Sequence, residues 1–187
     1  MQALTDFADL AVVLPLALCV AAWLAVSGWG HGALSWLVAF GAVLAVTAVL
    51  KLGFLGCAPS ESAISSPSGH TASSSFVYGG IAALALRGGW RASTALAIAV
   101  AALVGASRVA VHAHSAAEAM LGGAVGVAAL AVFAWRAGPV PPGLKPGRLL
   151  LVCLPLMLVL HGARLNAEPH LRGAAFWFAR AVCRPVG

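Results

Sequence analysis

The chain has 187 residues, 61% of them hydrophobic and 9% charged, with a formal net charge of +6 and a mean hydropathy of +0.98. Soluble domains carry about a quarter charged residues, so the composition excludes an ordinary soluble domain and points to an integral membrane protein. The basic residues are scattered at loop positions with no aromatic-interleaved stripe, which argues against nucleic acid as a partner and for topology-setting and contact with lipid headgroups.

The expected fold is all-α, a single domain over residues 1–187, because the length is used up by about six transmembrane helices of ~20 residues and short loops. Ala, Leu, Val and 21 glycines supply the small residues that pack helices closely in lipid. No stretch alternates with the period of a barrel strand. Asp6 and Asp9 precede the first apolar run, Leu10 to Val26, and no positive n-region stands before it, so the run reads as a retained span. A turn over Ser27 to Gly32 follows, with Trp23, Trp29 and Trp36 expected as interface anchors. The second span, Ala33 to Leu50, ends at Lys51, and a polar loop from Gly56 to Ser66 carries Cys57, Pro59 and Glu61.

The third span starts near Ser68 and ends at Arg87. The fourth, Ala92 to Ala106, lies between Arg91 and Arg108 and is short for a full crossing, although arginines can snorkel at both ends. The fifth runs from Ser115 to Trp135-Arg136, and a Pro/Gly-rich loop follows from Gly138 to Gly147. The last apolar run, Leu149 to Leu160, is about a dozen residues with Pro155 inside it, read as a sixth span that its length also allows to be re-entrant. The tail, 164–187, sets Arg164, Arg172, Arg180 and Arg184 around Phe176-Trp177-Phe178 and reads as a basic interfacial segment. Cys19 and Cys153 fall in apolar runs and are expected in the core, whereas Cys57 and Cys183 fall on one face, where a disulfide is conceivable.

Alternation of the spans brings Lys51, the start of span three, Arg108 and the start of span five to one face, with the N-terminus. The other face holds Arg87, Arg91, Arg136, Lys145 and Arg148 and no acidic residue, whereas the first carries Asp6, Asp9 and Glu61, so the positive-inside rule puts the first face outside; the basic tail argues the other way. On that face, Ser66-Pro67-Ser68-Gly69-His70-Thr71 reads as a helix start with Ser66 as N-cap and Pro67 at the first helical position. The N–H groups of Ser68, Gly69 and His70 would then face an anion, Gly69 would allow close approach, and His70 could exchange a proton. Alone, the hexapeptide is a capped helix start with an incidental histidine.

The second stretch adds Arg108, whose guanidinium fork suits phosphate oxygens, and His114 and Glu118, which share a helical face. A carboxylate beside an imidazole fixes its tautomer and raises the nucleophilicity of the other nitrogen. Ser115-Ala116-Ala117-Glu118 is also a capping box, and the two roles of Glu118 overlap in space. His112 is incidental. A zinc site from His70, His112, His114 and Glu118 matches no strong metal pattern, so neither a metal nor a cofactor is expected.

These residues resemble the type-2 phosphatidic acid phosphatase family of membrane lipid phosphatases, related to the vanadium haloperoxidases. That family carries K-x6-R-P, P-S-G-H and S-R-x5-H-x3-D. The second motif is complete at Pro67-Ser68-Gly69-His70. The third reads Ser107-Arg108, five residues, His114, three residues, Glu118. The first reads Lys51, six residues, Ala58-Pro59. Glutamate therefore replaces the aspartate, and Ala58 replaces one arginine clamp. Arg164 and Arg172 are the candidates to take over that cation's work.

The resemblance implies a metal-independent phosphatase acting on a lipid phosphate or pyrophosphate. His114 would attack phosphorus, His70 would protonate the leaving oxygen, and Glu118 would orient His114. Lys51, Ser68, Gly69 and Arg108 would hold the phosphate oxygens. Expected substrates are polyprenyl pyrophosphate, phosphatidylglycerophosphate, phosphatidate or lipid A phosphate, in a bacterial inner membrane with the site facing the periplasm. The alternatives are a lipid phosphotransferase using the same histidine, and a non-catalytic member that binds lipid or assists a partner protein.

Overall fold

The computed structural model describes residues 2–57, 64–87, 89–165 and 168–183. Among them the secondary structure is entirely helical: α1 (Gln2–Phe7), α2 (Leu10–Val26), α3 (Gly30–Cys57), α4 (Gly69–Ala85), α5 (Trp90–Ala110), α6 (Ala116–Ala137), α7 (Pro146–Val159), α8 (Glu168–Phe178) and a terminal π-helical turn (Ala179–Cys183). Three of these, α3, α5 and α6, are long and apolar enough to cross a membrane, and α2 and α7 are shorter apolar helices.

Local chemistry accounts for the element ends. Asp9 caps α2 by accepting the Ala11 N–H at 2.9 Å. Pro15 sits within the helix and Ser27-Gly28 closes it, with Gly28 at a positive φ of 84°. Several boundaries differ from the sequence expectation. Helix α3 passes through Lys51 to Cys57, because the lysine is buried inside the bundle and ends nothing. Helix α5 has 21 residues instead of the short run expected over Ala92 to Ala106. Its start includes Trp90, and its end runs past Arg108. The last apolar run is a 14-residue helix starting at Pro146, which the fixed proline φ favours as a first helical residue. The N-cap of α4 is Ser68, not Ser66, as set out below.

Helix α4 is the hub, packed against α2, α3, α5, α6 and α7. It can occupy the middle of an apolar bundle despite Thr71, Ser73, Ser74 and Ser75 because each hydroxyl finds a partner in the helix or its cap, Thr71 donating to Ser68 Oγ at 2.9 Å. Ser73 donates to the Gly69 carbonyl at 2.9 Å, Ser74 to that of His70 at 2.5 Å and Ser75 to that of Thr71 at 2.6 Å. Glycines bring α6 close: a Cβ at Gly122 would collide with the Ser68 carbonyl oxygen, and one at Gly126 with Ser75 and the Ala72 carbonyl.

An aromatic knot of Trp36, Phe40, Phe76 and Phe133 fills the centre, with Trp36 and Phe76 centroids 4.6 Å apart. Trp36 is thus a core residue and not an interface anchor: it is 0% exposed and donates its indole N–H to the Ala17 carbonyl at 2.9 Å. Cys153 is buried and Cys19 packs against the same core.

Contacts at the helix ends define two poles. At one, Asp9, the end of α3, the start of α4, the end of α5, the start of α6 and Leu165 meet. At the other, Arg87 donates to the carbonyls of Pro142 and Leu144, and His31 Nε2 lies 3.3 Å from the Arg136 carbonyl. Trp29, Trp90, Trp135 and Arg87 there line a cavity of about 400 Å³. Helix α8 lies against α3, and Cys57 and Cys183 form a disulfide with Cα atoms 5.6 Å apart, joining the tail to the first pole.

Candidate active site

The first pole gathers the residues singled out in the sequence. The organising group is the carboxylate of Glu118, in the first turn of α6 and 5% exposed. Its Oε2 accepts the Ser115 N–H at 3.0 Å, closing a capping box in which Ser115 Oγ accepts the Glu118 N–H. The same oxygen lies 3.1 Å from His114 Nδ1. Its Oε1 accepts three further bonds from the segment before α4: Ser65 N–H at 2.9 Å, Ser65 Oγ at 2.6 Å and Ser66 N–H at 2.7 Å. One buried carboxylate therefore caps a helix, orients a histidine and ties down the neighbouring loop.

The loop is also held from the other side. Lys51 Nζ, buried near the end of α3, donates to Ser66 Oγ at 2.9 Å. This explains the shifted cap. Ser66 is occupied by Lys51 through its hydroxyl and by Glu118 through its N–H, so Ser68 caps α4, accepting from Thr71 N–H at 3.3 Å and Thr71 Oγ1 at 2.9 Å. The Ser68 N–H, expected to face an anion, is bonded to the Glu118 carbonyl at 3.0 Å instead. The first helical N–H groups then belong to Gly69 and His70, where the helix dipole favours negative charge. The Gly69 Cα faces Thr47 and Lys51, and a Cβ there would lie 3.7 Å from Thr47 Cγ2 and 3.8 Å from Lys51 Cε.

Arg108 occupies the last turn of α5, and the chain turns back at Val111–Ser115, where His112 takes a positive φ of 54° and is exposed. His114 lies within this turn, mostly buried with 10% of its side chain exposed. Burial is the strongest influence on it and lowers its pKa below the usual 6.5; the charges of Arg108 and Lys51 push the same way, outweighing the bond to Glu118. A neutral ring whose Nδ1–H is given to a carboxylate leaves Nε2 with its lone pair.

His70, in the first turn of α4, shares this pole, with its side chain 28% exposed. Its Nε2 lies 3.4 Å from Asp9 Oδ2, a partner 61 positions earlier that the sequence did not single out. The only hint was that Asp9 precedes an apolar run, which marks it as a cap. Ser65 and Ser66 as partners of Glu118 were likewise missed.

Of the candidate replacements for the arginine clamp, Arg164 faces Asp6 at 2.9 Å and is largely exposed. Arg172, on α8, lines a cleft with Phe176 and with Leu55 and Gly56 from the end of α3. Ala58 and Glu61 lie outside the described residues, as does Arg184. Among the described residues no three His, Cys, Asp or Glu side chains gather as metal ligands; His112 is exposed, whereas Glu118 is buried and His114 mostly so. No known protein family, no curated protein and no solved structure matches the chain.

Proposed function

We propose that the chain is an integral membrane phosphatase that hydrolyses a lipid phosphate or pyrophosphate through a phosphohistidine on His114. The observation that carries this reading is the 3.1 Å contact between His114 Nδ1 and Glu118 Oε2, beside Lys51, Arg108 and the first turn of α4. A histidine held in this tautomer is a nucleophile, and the cations and N–H groups around it suit the charge of a phosphoryl group in transfer.

In this mechanism His114 Nε2 attacks phosphorus while the bond to the leaving oxygen breaks and that oxygen takes a proton from His70. Water then attacks the phosphohistidine, gives its proton to His70, and the P–N bond breaks to return the electron pair to His114. Lys51, Arg108 and the backbone N–H groups of Gly69 and His70 hold the phosphate oxygens, while Ser68, buried and committed as the cap of α4, fixes that helix start.

We read the six helices α2 to α7 as spans, with the site at the outer, periplasmic end. The loops at the end opposite the site carry Arg87, Arg91, Arg136, Lys145 and Arg148 and no acidic residue, which supports a cytoplasmic end there, while the arginines of the tail, fastened at the site end, are the opposing contribution. The disulfide at the site end fits an oxidising compartment. The test is phosphate release by the purified protein from polyprenyl pyrophosphate, phosphatidylglycerophosphate, phosphatidate and lipid A, with His114→Ala alongside. Release that His114→Ala abolishes and vanadate inhibits is expected. Phosphate appearing on a second lipid instead would make the chain a phosphotransferase. Neither release nor transfer would leave a lipid-binding or partner protein.

A further inference from the structure

The contact between Asp9 and His70 belongs to no part of the reading above. Asp9 is 8% exposed, and both of its oxygens are committed. Oδ1 accepts the Ala11 N–H at the start of α2 and the Leu165 N–H from the segment after α7, each at 2.9 Å. Oδ2 faces His70 Nε2 at 3.4 Å. Two rigid backbone donors from opposite ends of the chain thus aim one carboxylate at the histidine. Asp6, the nearest other acid in sequence, is directed away by its ion pair with Arg164. Burial opposes ionisation of Asp9, but His70 and the two N–H donors together outweigh it and hold its pKa below the ordinary value.

We propose that Asp9 is the positioning residue for proton transfer by His70: it holds Nε2–H of the ring so that Nδ1 is the nitrogen that serves the leaving oxygen. The proposal rests on the phosphatase reading of the same site. In the first half-reaction the imidazolium of His70 gives its Nδ1 proton to the leaving oxygen as the P–O bond breaks, and the ring is left neutral with Nε2–H still facing the Asp9 carboxylate. In the second, Nδ1 takes a proton from the attacking water. Asp9 keeps its charge throughout and exchanges no proton. It completes at His70 what Glu118 does at His114, so each histidine of the site has one buried carboxylate that is itself fixed by backbone N–H groups.

The segment 163–165 acquires a purpose from this arrangement. Through Leu165 N–H and the Arg164–Asp6 pair it braces the carboxylate from outside the bundle.

The experiment compares full-length wild type, Asp9→Asn, His70→Ala and the double variant carrying both on a series of phosphate monoesters, from p-nitrophenyl phosphate to long-chain alkyl phosphates. Asparagine caps a helix as well as aspartate does, so Asp9→Asn preserves the start of α2 while removing the charge. An aryl leaving group departs without a proton, whereas an alkoxide needs one. The expected result is a fall in kcat of about 10- to 100-fold for Asp9→Asn on alkyl phosphates, a part of the roughly 10²–10⁴-fold that a general acid contributes, since His70 itself remains. KM should stay nearly constant, and p-nitrophenyl phosphate should change less than about threefold. Asp9→Asn on top of His70→Ala should add nothing, since the two act as one unit. Equal losses on aryl and alkyl substrates, or full additivity with His70→Ala, would assign Asp9 a purely structural role and overturn the proposal alone. If the wild type releases no phosphate from any member, the phosphatase reading falls and the proposal with it.

Discussion

His114 Nδ1 and Glu118 Oε2 stand 3.1 Å apart across one turn of chain, and the second oxygen of that carboxylate holds Ser65 and Ser66. The longer arm of glutamate makes this double duty possible: the carboxylate reaches back to the Ser115 N–H and outward to the loop at once. We predict that Glu118→Gln lowers kcat by about 10² to 10⁴-fold, because an amide cannot both accept from His114 and satisfy all the remaining donors. Glu118→Asp shortens the reach by one methylene, strands the Ser65 and Ser66 N–H groups, and costs about 1–3 kcal/mol of stability. Steady-state kinetics with a thermal melt of each variant checks both. An aspartate variant as stable and active as wild type would contradict this account.

With His114 as the proposed nucleophile, its electrostatics should set the acid side of the pH profile. An imidazole whose folded pKa lies below its ordinary 6.5 binds fewer protons folded than unfolded between those two values. Its contribution to stability is therefore full above 6.5 and is lost as the pH falls toward the folded value. A nucleophilic Nε2 must be neutral, so kcat/KM should fall on the acid side with its inflection below 6.5. Arg108→Gln removes a repelling charge and should move that inflection up, whereas Glu118→Gln should move it down. A wild-type inflection above 6.5 would show that His114 is not the group being titrated.

Much of the site was legible because its residues lie at helix ends in short local patterns. The capping box at Ser115 and Glu118 and the shared face of His114 and Glu118 follow from spacing alone. What was not legible depends on tertiary packing. Ser66 and Ser68 are both competent caps around Pro67, and the choice falls to Ser68 only because Lys51 and Glu118 occupy Ser66. Lys51 looked like the end of a span, since a lysine in lipid usually snorkels, yet its ammonium is buried against the site and α3 continues. Trp36 looked like an anchor because tryptophan favours interfaces, but the partner that satisfies its N–H is a carbonyl on a neighbouring helix. The pairing of Asp9 with His70 spans 61 positions and carries no periodic signal. The bounds of Leu10–Val26 were clearer, because a cap at Asp9 and a Ser-Gly turn bracket the run.

Close packing of α4 on α6 positions the loop that Glu118 holds. A Cβ at Gly122 would collide with the carbonyl of Ser68, which is backbone and cannot swing aside. Gly122→Ala should therefore push the start of α4 off α6, break the bond between Ser68 N–H and the Glu118 carbonyl, and cost about 1–3 kcal/mol through overpacking. Activity should fall with it. Gly41→Ala is the control: nothing lies within 4 Å of its Cβ, and alanine is the better helix former by up to about 1 kcal/mol. Melting temperatures and phosphate release for the two variants side by side give the test, and equal tolerance at both positions would contradict the packing argument.

The disulfide between Cys57 and Cys183 closes a loop of 126 residues and fastens the tail beside the site. Cross-links typically stabilise by about 2–4 kcal/mol, chiefly through the unfolded chain, and long loops lie at the upper end of the chain-entropy estimate. Helix α8 packs mainly on α3 and exposes Phe176 and Trp177, so few other contacts hold it. Replacing both cysteines by serine should lower the melting temperature by about 5–15 °C for a chain of this size. Reductant should bring the wild type down to the level of the double variant while leaving that variant unchanged. Cleavage by protease in the segment after Leu165 should rise in parallel, because the tail then opens without the rest of the bundle. Labelling of non-reduced, denatured protein with a thiol reagent should modify Cys19 and Cys153 and spare Cys57 and Cys183. Four labelled thiols, or a melting temperature indifferent to reductant, would show that the tail is held by packing alone.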